Sequence, residues 1–204
     1  TVRRAALDSI RAVHRASWPA RERMLAAALA RGVDPNAFTI HGMPPLLLAS
    51  VMGSPAMVEQ LLRAGANANV EASLRDDVNA IEYALEHEFP FRMLAFPEFL
   101  TVTERTAIIR RLLRAGTKAP WAGSRFRMPA HSPWALVAAL TEGDSIAREL
   151  IAAGLTPTQA DVDGIPPITA AAQFGNVDVV RVLRDVGPRT AQISGDTVIW
   201  SRSA

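Results

Sequence analysis

The sequence predicts an all-α solenoid of repeated helix pairs, and three observations support this prediction. A phrase rich in leucine and alanine ends five times in glycine, at Gly32, Gly65, Gly116, Gly154 and Gly187. The steps between these glycines are 33, 51, 38 and 33 residues, and a shared period near 33 residues is typical of a helical repeat array. Hydrophobic residues make up 49% of the chain, which is enough to build a continuous core.

The second and fifth copies show the repeated pattern most clearly. Residues 42–53 (GMPPLLLASVMG) and 164–175 (GIPPITAAAQFG) each lead into a valine- and leucine-rich stretch that ends at the next glycine. This pattern resembles the ankyrin repeat, whose consensus is Gly-x-Thr-Pro-Leu-His-x-Ala-Ala-x-x-Gly, a second helix with a Val-Val and Leu-Leu core, and then Gly-Ala-Asp-x-Asn-Ala. The resemblance implies that each unit is a helix, a turn, an antiparallel helix and a finger-like loop.

The chemistry of individual positions agrees with this resemblance. Pro45 and Pro167 fall where a first helix would begin, a position at which a missing N–H costs nothing. Glycine at the end of each second helix adopts the left-handed backbone conformation without strain. Apolar residues recur at helical spacing in the second helix and predict a buried stripe. In the second copy, these residues are Met57, Val58, Leu61 and Leu62.

The alignment predicts one domain, 1–204, of about five repeats, and the use of Ala and Arg with almost no Lys indicates a bacterial type. Their ranges are about 1–37, 38–70, 71–120, 121–159 and 160–191, with a short cap at 192–204. In the first repeat, Met24 and Leu25 take the buried valine positions. The third has helices near 79–84 and 107–113, and the fourth, around Pro133, fits with a one-residue ambiguity. Residues 195–200 resemble the opening of a sixth repeat, which predicts either a cap of one short helix, with Ile199 and Trp200 covering the core, or an array that stops early.

Two intervals are longer than the period, by 18 and 5 residues, and they locate additions to the scaffold. The first addition, 89–103, carries four of the seven phenylalanines, and we interpret it either as a buried flap or as an aromatic anchor for a partner. The second lengthens the loop 117–131, which contains Trp121, Arg125, Phe126 and Arg127. Aromatic and arginine side chains favour an interface, although the loop could equally fold back on its neighbour.

The resemblance implies that partner-facing positions lie at the finger tips and on the exposed side of each first helix. In this chain those positions are Phe38, Ile40, His41, Met43, Val51, Met52, Arg75, Asp76, Glu86, His87, Val162, Ile165 and Phe174. Apolar residues at such positions favour a protein partner, and the alternative is that some of them pack finger against finger. Residues 67–100 carry a net charge of −5, so Asp76 and Asp77 could steer a basic partner into the groove.

Composition and spacing argue against several other functions. The chain has no cysteine, no apolar run long enough to span a membrane, and a net charge of only +2. Its four histidines lie in different repeats without metal-ligand spacing, and no catalytic or phosphate-binding motif occurs. We therefore expect a monomeric, cytoplasmic, non-catalytic module without metal or cofactor.

The predicted function is to hold one protein partner in the concave groove, as a stoichiometric inhibitor or immunity-type protein. Two alternatives stay open at this point. One is an effector or scaffold adaptor, and the other is nucleic-acid binding through the Arg-rich third and fourth repeats, for which the small net charge gives little support.

Overall fold

The structure is a computed structural model, which describes residues 12, 15–37, 43–52, 54–71, 79–85, 100–118, 133–140, 142–160, 164–186, 190–194 and 197–201. Within these ranges the chain forms nine helices and one antiparallel β-hairpin. The helices are α1 (Trp18–Ala30), α2 (Pro45–Met52), α3 (Pro55–Arg63), α4 (Ala80–Leu85), α5 (Val102–Arg114), α6 (Pro133–Ala138), α7 (Gly143–Ala152), α8 (Pro167–Gln173) and α9 (Val177–Val186). The strands are β1 (Thr190–Ser194) and β2 (Thr197–Ser201).

The chain divides into two compact units, Thr1–Phe126 and Arg127–Ala204. In the first unit, α2 packs against α3 and α4 packs against α5, so each short helix pairs with the longer helix that follows it. The longer helices α1, α3 and α5 contact one another in chain order, and α2 contacts α4. Both helices of one pair therefore stack on their counterparts in the next pair, as the repeat pattern predicts. The core between them is formed by buried side chains that include Leu46, Leu47, Val58, Leu61, Ile81, Ile108, Ile109 and Leu112.

The second unit repeats this arrangement with two helix pairs. Helix α6 packs against α7 and α8, and α9 packs against α7 and α8. Trp134 is the largest side chain in this core, and its indole Nε1 donates a hydrogen bond of 3.2 Å to the backbone oxygen of Thr156. The indole thereby ties the start of α6 to the loop that follows α7.

Helix starts and ends follow the predicted chemistry. Helices α2 and α8 begin at Pro45 and Pro167, as the sequence predicted. The glycines after α1, α3, α5 and α7 have φ angles between 81° and 106°, a region that side chains with a Cβ rarely adopt. Of the predicted stripe in α3, Met57, Val58 and Leu61 are buried, whereas Leu62 is half-buried.

Two predictions need correction, one about a boundary and one about a buried position. The insertion was expected to extend through residue 103, but α5 begins at Val102 because Thr101 and Glu104 form a capping box there. The Thr101 hydroxyl accepts a hydrogen bond from the backbone N–H of Glu104, whose carboxylate accepts one from the Thr101 N–H. In the first repeat, Met24 was assigned to a core position, yet it is 72% exposed, so it is not on the side of α1 that packs against α3.

The C-terminal cap also differs from the predicted short helix. Residues 197–201 form β2, which pairs with β1 so that Ala191 lies opposite Trp200 and Ile193 lies opposite Val198. Val198 occupies the place that a proline takes at the start of α2 and α8, and β-branched residues favour an extended backbone. The assigned helix is therefore wrong for this segment.

Two helix-to-helix turns of the second unit correspond to each other across one period. Counting back one period of 33 residues places Glu142 opposite Gly175 and Gly143 opposite Asn176. Glu142 and Gly175 share a left-handed backbone, with φ of 57° and 69°. A Cβ at Gly143 would lie 2.7 Å from the backbone oxygen of Val137, so the asparagine found at the equivalent position could not be accommodated here.

Candidate protein-binding surface

Four of the sequence-predicted binding residues can be placed with their side chains. Met43, Val51 and Ile165 are half-buried, whereas Phe174 is 48% exposed at the end of α8. The backbone of Met52 ends α2. The remaining predicted binding residues lie outside the described ranges: Phe38, Ile40, His41, Arg75, Asp76, Asp77, Glu86, His87, Trp121, Arg125, Phe126, Arg127 and Val162. The described part of the predicted surface therefore consists of Met43 before α2, Val51 in α2, and the residues at the two ends of α8.

The bases of the finger loops in the first unit are joined by a ladder of asparagine side chains. The Asn36 amide donates to the backbone oxygen of Gly65 at 3.1 Å and accepts from the backbone N–H of Asn67 at 2.7 Å. Asn69 makes the same pair of bonds one repeat later, to the oxygen of Gly116 at 3.3 Å and from the N–H of Lys118 at 2.8 Å. Each amide thus satisfies one acceptor and one donor of the next finger.

Each finger is also closed internally by a turn of Asx type. The backbone N–H of Asn36 donates to the Asp34 carboxylate at 2.9 Å, and that of Asn69 donates to the Asn67 side chain at 3.0 Å. These bonds hold each ladder residue in place before it reaches the neighbouring repeat. The sequence pattern did not predict this ladder, although an asparagine occurs four residues after Gly32 and again four residues after Gly65.

The sequence explains where this ladder ends. The position four residues after Gly116 is Pro120, which has no side-chain hydrogen-bonding group, and the position after Gly154 is Thr158. Asn79 makes a further link at the same end of the first unit, because its amide donates to the backbone oxygen of Lys118 at 3.3 Å. Asn79 also pairs with Glu71 in an isolated β-bridge.

The second helices of the first unit are tied together by charged side chains. The Ser54 hydroxyl caps α3 and donates to the carboxylate of Glu22 on α1. Arg111 on α5 contacts Glu59 on α3 at 3.1 Å. Arg15, which precedes α1, forms a bidentate pair with Glu104 at the start of α5, at 2.7 and 3.1 Å. This last pair joins two repeats that are not neighbours in the chain.

Among the residues that the structure describes, Glu104 has a pKa that is clearly shifted from its ordinary value. Partial burial acts to raise its pKa, but hydrogen bonds from Arg15 and Thr101, together with the positive charge of Arg15, outweigh that effect. The pKa of Glu104 consequently lies below its ordinary value of 4.5. This carboxylate is engaged in capping α5 and pairing with Arg15, which indicates a structural role.

A second exposed surface lies at the helix-to-helix turns of the second unit. Phe174 and Val177 are 48% and 59% exposed, and Glu142 and Asp178 are exposed as well. The two turns touch, because the Asn176 amide donates to the backbone oxygen of Ala138 at 2.8 Å. We call Glu142, Phe174, Val177 and Asp178 the turn surface.

Within the described residues, no group of three or more histidine, aspartate or glutamate side chains is arranged to hold a metal ion. In the same part of the chain, no helix combines the length and apolar character that crossing a membrane requires.

Comparison with known proteins identifies one repeat. Residues 41–73 match the family model of the ankyrin repeat, and this segment contains α2, α3 and the finger that carries Asn67 and Asn69. No curated protein matches the sequence significantly. The family match supports an ankyrin-repeat protein. Ankyrin repeats generally act as non-catalytic modules that mediate protein–protein interaction.

Proposed function

We propose that this chain is a non-catalytic protein-binding module, and that it holds one protein partner against the finger loops and first helices of its repeats. The observation that carries the proposal is the asparagine ladder. By fixing each finger base to the next at Gly65 and Gly116, it presents the loops as a pre-organised surface, which lowers the entropic cost of binding.

The proposed partner-facing positions combine apolar anchors with acidic residues. Phe174 supplies an exposed aromatic ring, and Met43, Val51 and Ile165 are partly accessible. Asp76 and Asp77 carry the acidic charge that would accelerate the encounter with a basic partner. Covering a partner's active surface would make the protein a stoichiometric inhibitor of the immunity type.

The proposal is tested by capturing the partner and then measuring association. The tagged chain is used to isolate partners from the native cell, and the purified complex is studied by stopped-flow or surface plasmon resonance. The double reversal Asp76→Arg/Asp77→Arg should lower the on-rate at least about tenfold at low salt, with an unchanged melting temperature.

A matched double reversal on α7 and α9, Glu149→Arg/Asp185→Arg, changes the net charge equally and should affect the on-rate much less. Equal effects of the two double variants would show a general charge effect and remove the role of the acidic finger. A captured partner that dissociates on nuclease treatment, or steeply salt-dependent oligonucleotide binding, would replace the proposal with nucleic-acid binding.

A further inference from the structure

Helix α1 carries an exposed surface that the proposed function does not use. Ala20, Met24, Ala27 and Arg31 follow helical spacing on one side of α1, and Arg23 lies next to them. All five are exposed, with Met24 at 72%, and no side chain of this helix is fully buried. We call these five residues the α1 surface. It consists of an apolar centre with positively charged residues beside it.

The turn surface has the complementary chemistry. Phe174 and Val177 are its apolar residues, and Glu142 and Asp178 are its exposed acidic residues. Asp144, half-buried in the first turn of α7, adds negative charge, and Arg181 partly offsets it through its 2.8 Å pair with Asp178. Both partners of that pair are more than half exposed, so solvent screens their attraction and leaves the carboxylate accessible to a second cation.

We propose that the α1 surface of one copy docks on the turn surface of a second copy. We choose a second copy as the partner because the two surfaces have complementary charge. The α1 surface combines apolar residues with arginines, and the turn surface combines apolar residues with carboxylates. The net charge of +2 is small, so two copies repel each other weakly. This contact goes beyond the proposed function, and it differs from the monomer that we expected from the sequence.

The contact has a direction because its two sides are different surfaces. A docked pair therefore keeps one unused α1 surface and one unused turn surface. Such a heterologous contact adds further copies until a ring closes or the chain of molecules stays open. With a few side chains on each side, the interface is small and its dissociation constant should lie in the range of about 10 μM to 1 mM.

The experiment is sedimentation velocity and small-angle scattering of the full chain at rising concentration. The wild type should show a mean mass that increases steadily up to about 1 mM protein, and this increase should shrink as salt is raised from about 0.02 to 0.5 M. A wild type that remains monomeric throughout this range would overturn the proposal.

Two variants test whether the α1 surface of one copy pairs with the turn surface of another. Arg23→Glu/Met24→Ser removes the α1 surface, and Phe174→Ser/Val177→Ser removes the apolar residues of the turn surface. Each variant alone should be monomeric, while an equimolar mixture should form a dimer that does not grow further, because each variant retains the surface that the other lacks. Self-association of either variant alone, or a mixture that stays monomeric while the wild type associates, would contradict the proposed pairing.

Controls separate docking from altered folding. Circular dichroism and thermal unfolding should give the wild-type helix content for both variants. Val33→Ser removes another exposed apolar side chain, and Arg148→Glu reverses another exposed charge. Both controls should associate like the wild type, and loss of association in either one would show that the effect is not specific to the two surfaces.

Discussion

At the scale of single residues, the side-chain amide is well suited to joining stacked repeats. Asparagine carries a donor and an acceptor on one short side chain, so Asn69 can satisfy a carbonyl and an N–H of the next finger together. An aspartate at this position would supply the acceptor but, when ionised, no donor. The finger backbone would then keep an unpaired carbonyl facing the neighbouring repeat.

We expect Asn69→Ala to lower the free energy of unfolding by about 1 kcal/mol, because two partly solvated hydrogen bonds are lost. Thr158, at the equivalent position after Gly154, provides the matched control. It is exposed, and Thr158→Ala should cost less than about 0.5 kcal/mol. Urea denaturation of both variants measures the difference, and equal losses would mean that the ladder does not stabilise the fold.

The backbone conformation of Glu142 is expected to lower the stability of the fold. Its φ of 57° places a side chain in the left-handed region, where the equivalent residue in the next repeat is Gly175. We expect Glu142→Gly to raise the free energy of unfolding by roughly 0.5 to 1 kcal/mol through relief of this strain. Gly175→Ala, the reverse exchange at a φ of 69°, should lower it. Destabilisation by Glu142→Gly in urea unfolding would show that contacts of the carboxylate outweigh the strain.

At the scale of elements, the Arg15–Glu104 pair couples the start of α1 to the capping box of α5. The pKa of Glu104 is lower in the folded chain than the ordinary 4.5, so folding favours the ionised carboxylate. The resulting stabilisation is fully present above about pH 4.5 and is lost as the pH falls through the lower, folded-state pKa. Glu104→Gln should therefore remove part of the loss of stability on acidification.

A double-mutant cycle with Arg15→Ala and Glu104→Gln measures the pair itself. Because both side chains are partly exposed, we expect a coupling of about 1 kcal/mol at pH 7 that decreases towards pH 3. Urea unfolding at each pH gives the four free energies. A coupling near zero at pH 7 would show that Glu104 stabilises α5 by capping alone.

The helices were predictable to the extent that local chemistry determines them. Prolines at the starts of α2 and α8 and glycines at helix ends act on their own backbone, so the sequence locates them well. The hairpin was missed because residues 195–200 match the repeat pattern in spacing while Val198 replaces the helix-starting proline. Met24 lies eight residues before Gly32, as the buried Met57 lies eight residues before Gly65, so the alignment predicted a buried residue. Burial also depends on which side of α1 another helix covers, and the alignment does not contain that information.

At the scale of the whole molecule, the candidate binding surface was less predictable than the scaffold. The repeat alignment places Phe174 at an exposed position, and the structure agrees. The turn surface combines this residue with Glu142 from the preceding repeat, and no local pattern links residues so far apart in the chain. The family resemblance also directs attention to fingers and first helices, whereas the α1 surface lies on a second helix.

The two compact units lead to a final prediction about how the chain unfolds. Leu61 is 2% exposed in the first unit, and Leu61→Ala should cost roughly 2 to 5 kcal/mol. Repeat arrays transmit stability through contacts between neighbouring units, and the ladder position that follows Asn69 is Pro120, whose side chain cannot form such hydrogen bonds. Hydrogen exchange should therefore accelerate strongly in α1 to α5 and much less in α6 to α9. Leu150→Ala in α7 should show the reverse pattern, and uniform acceleration by either variant would establish a single cooperative unit.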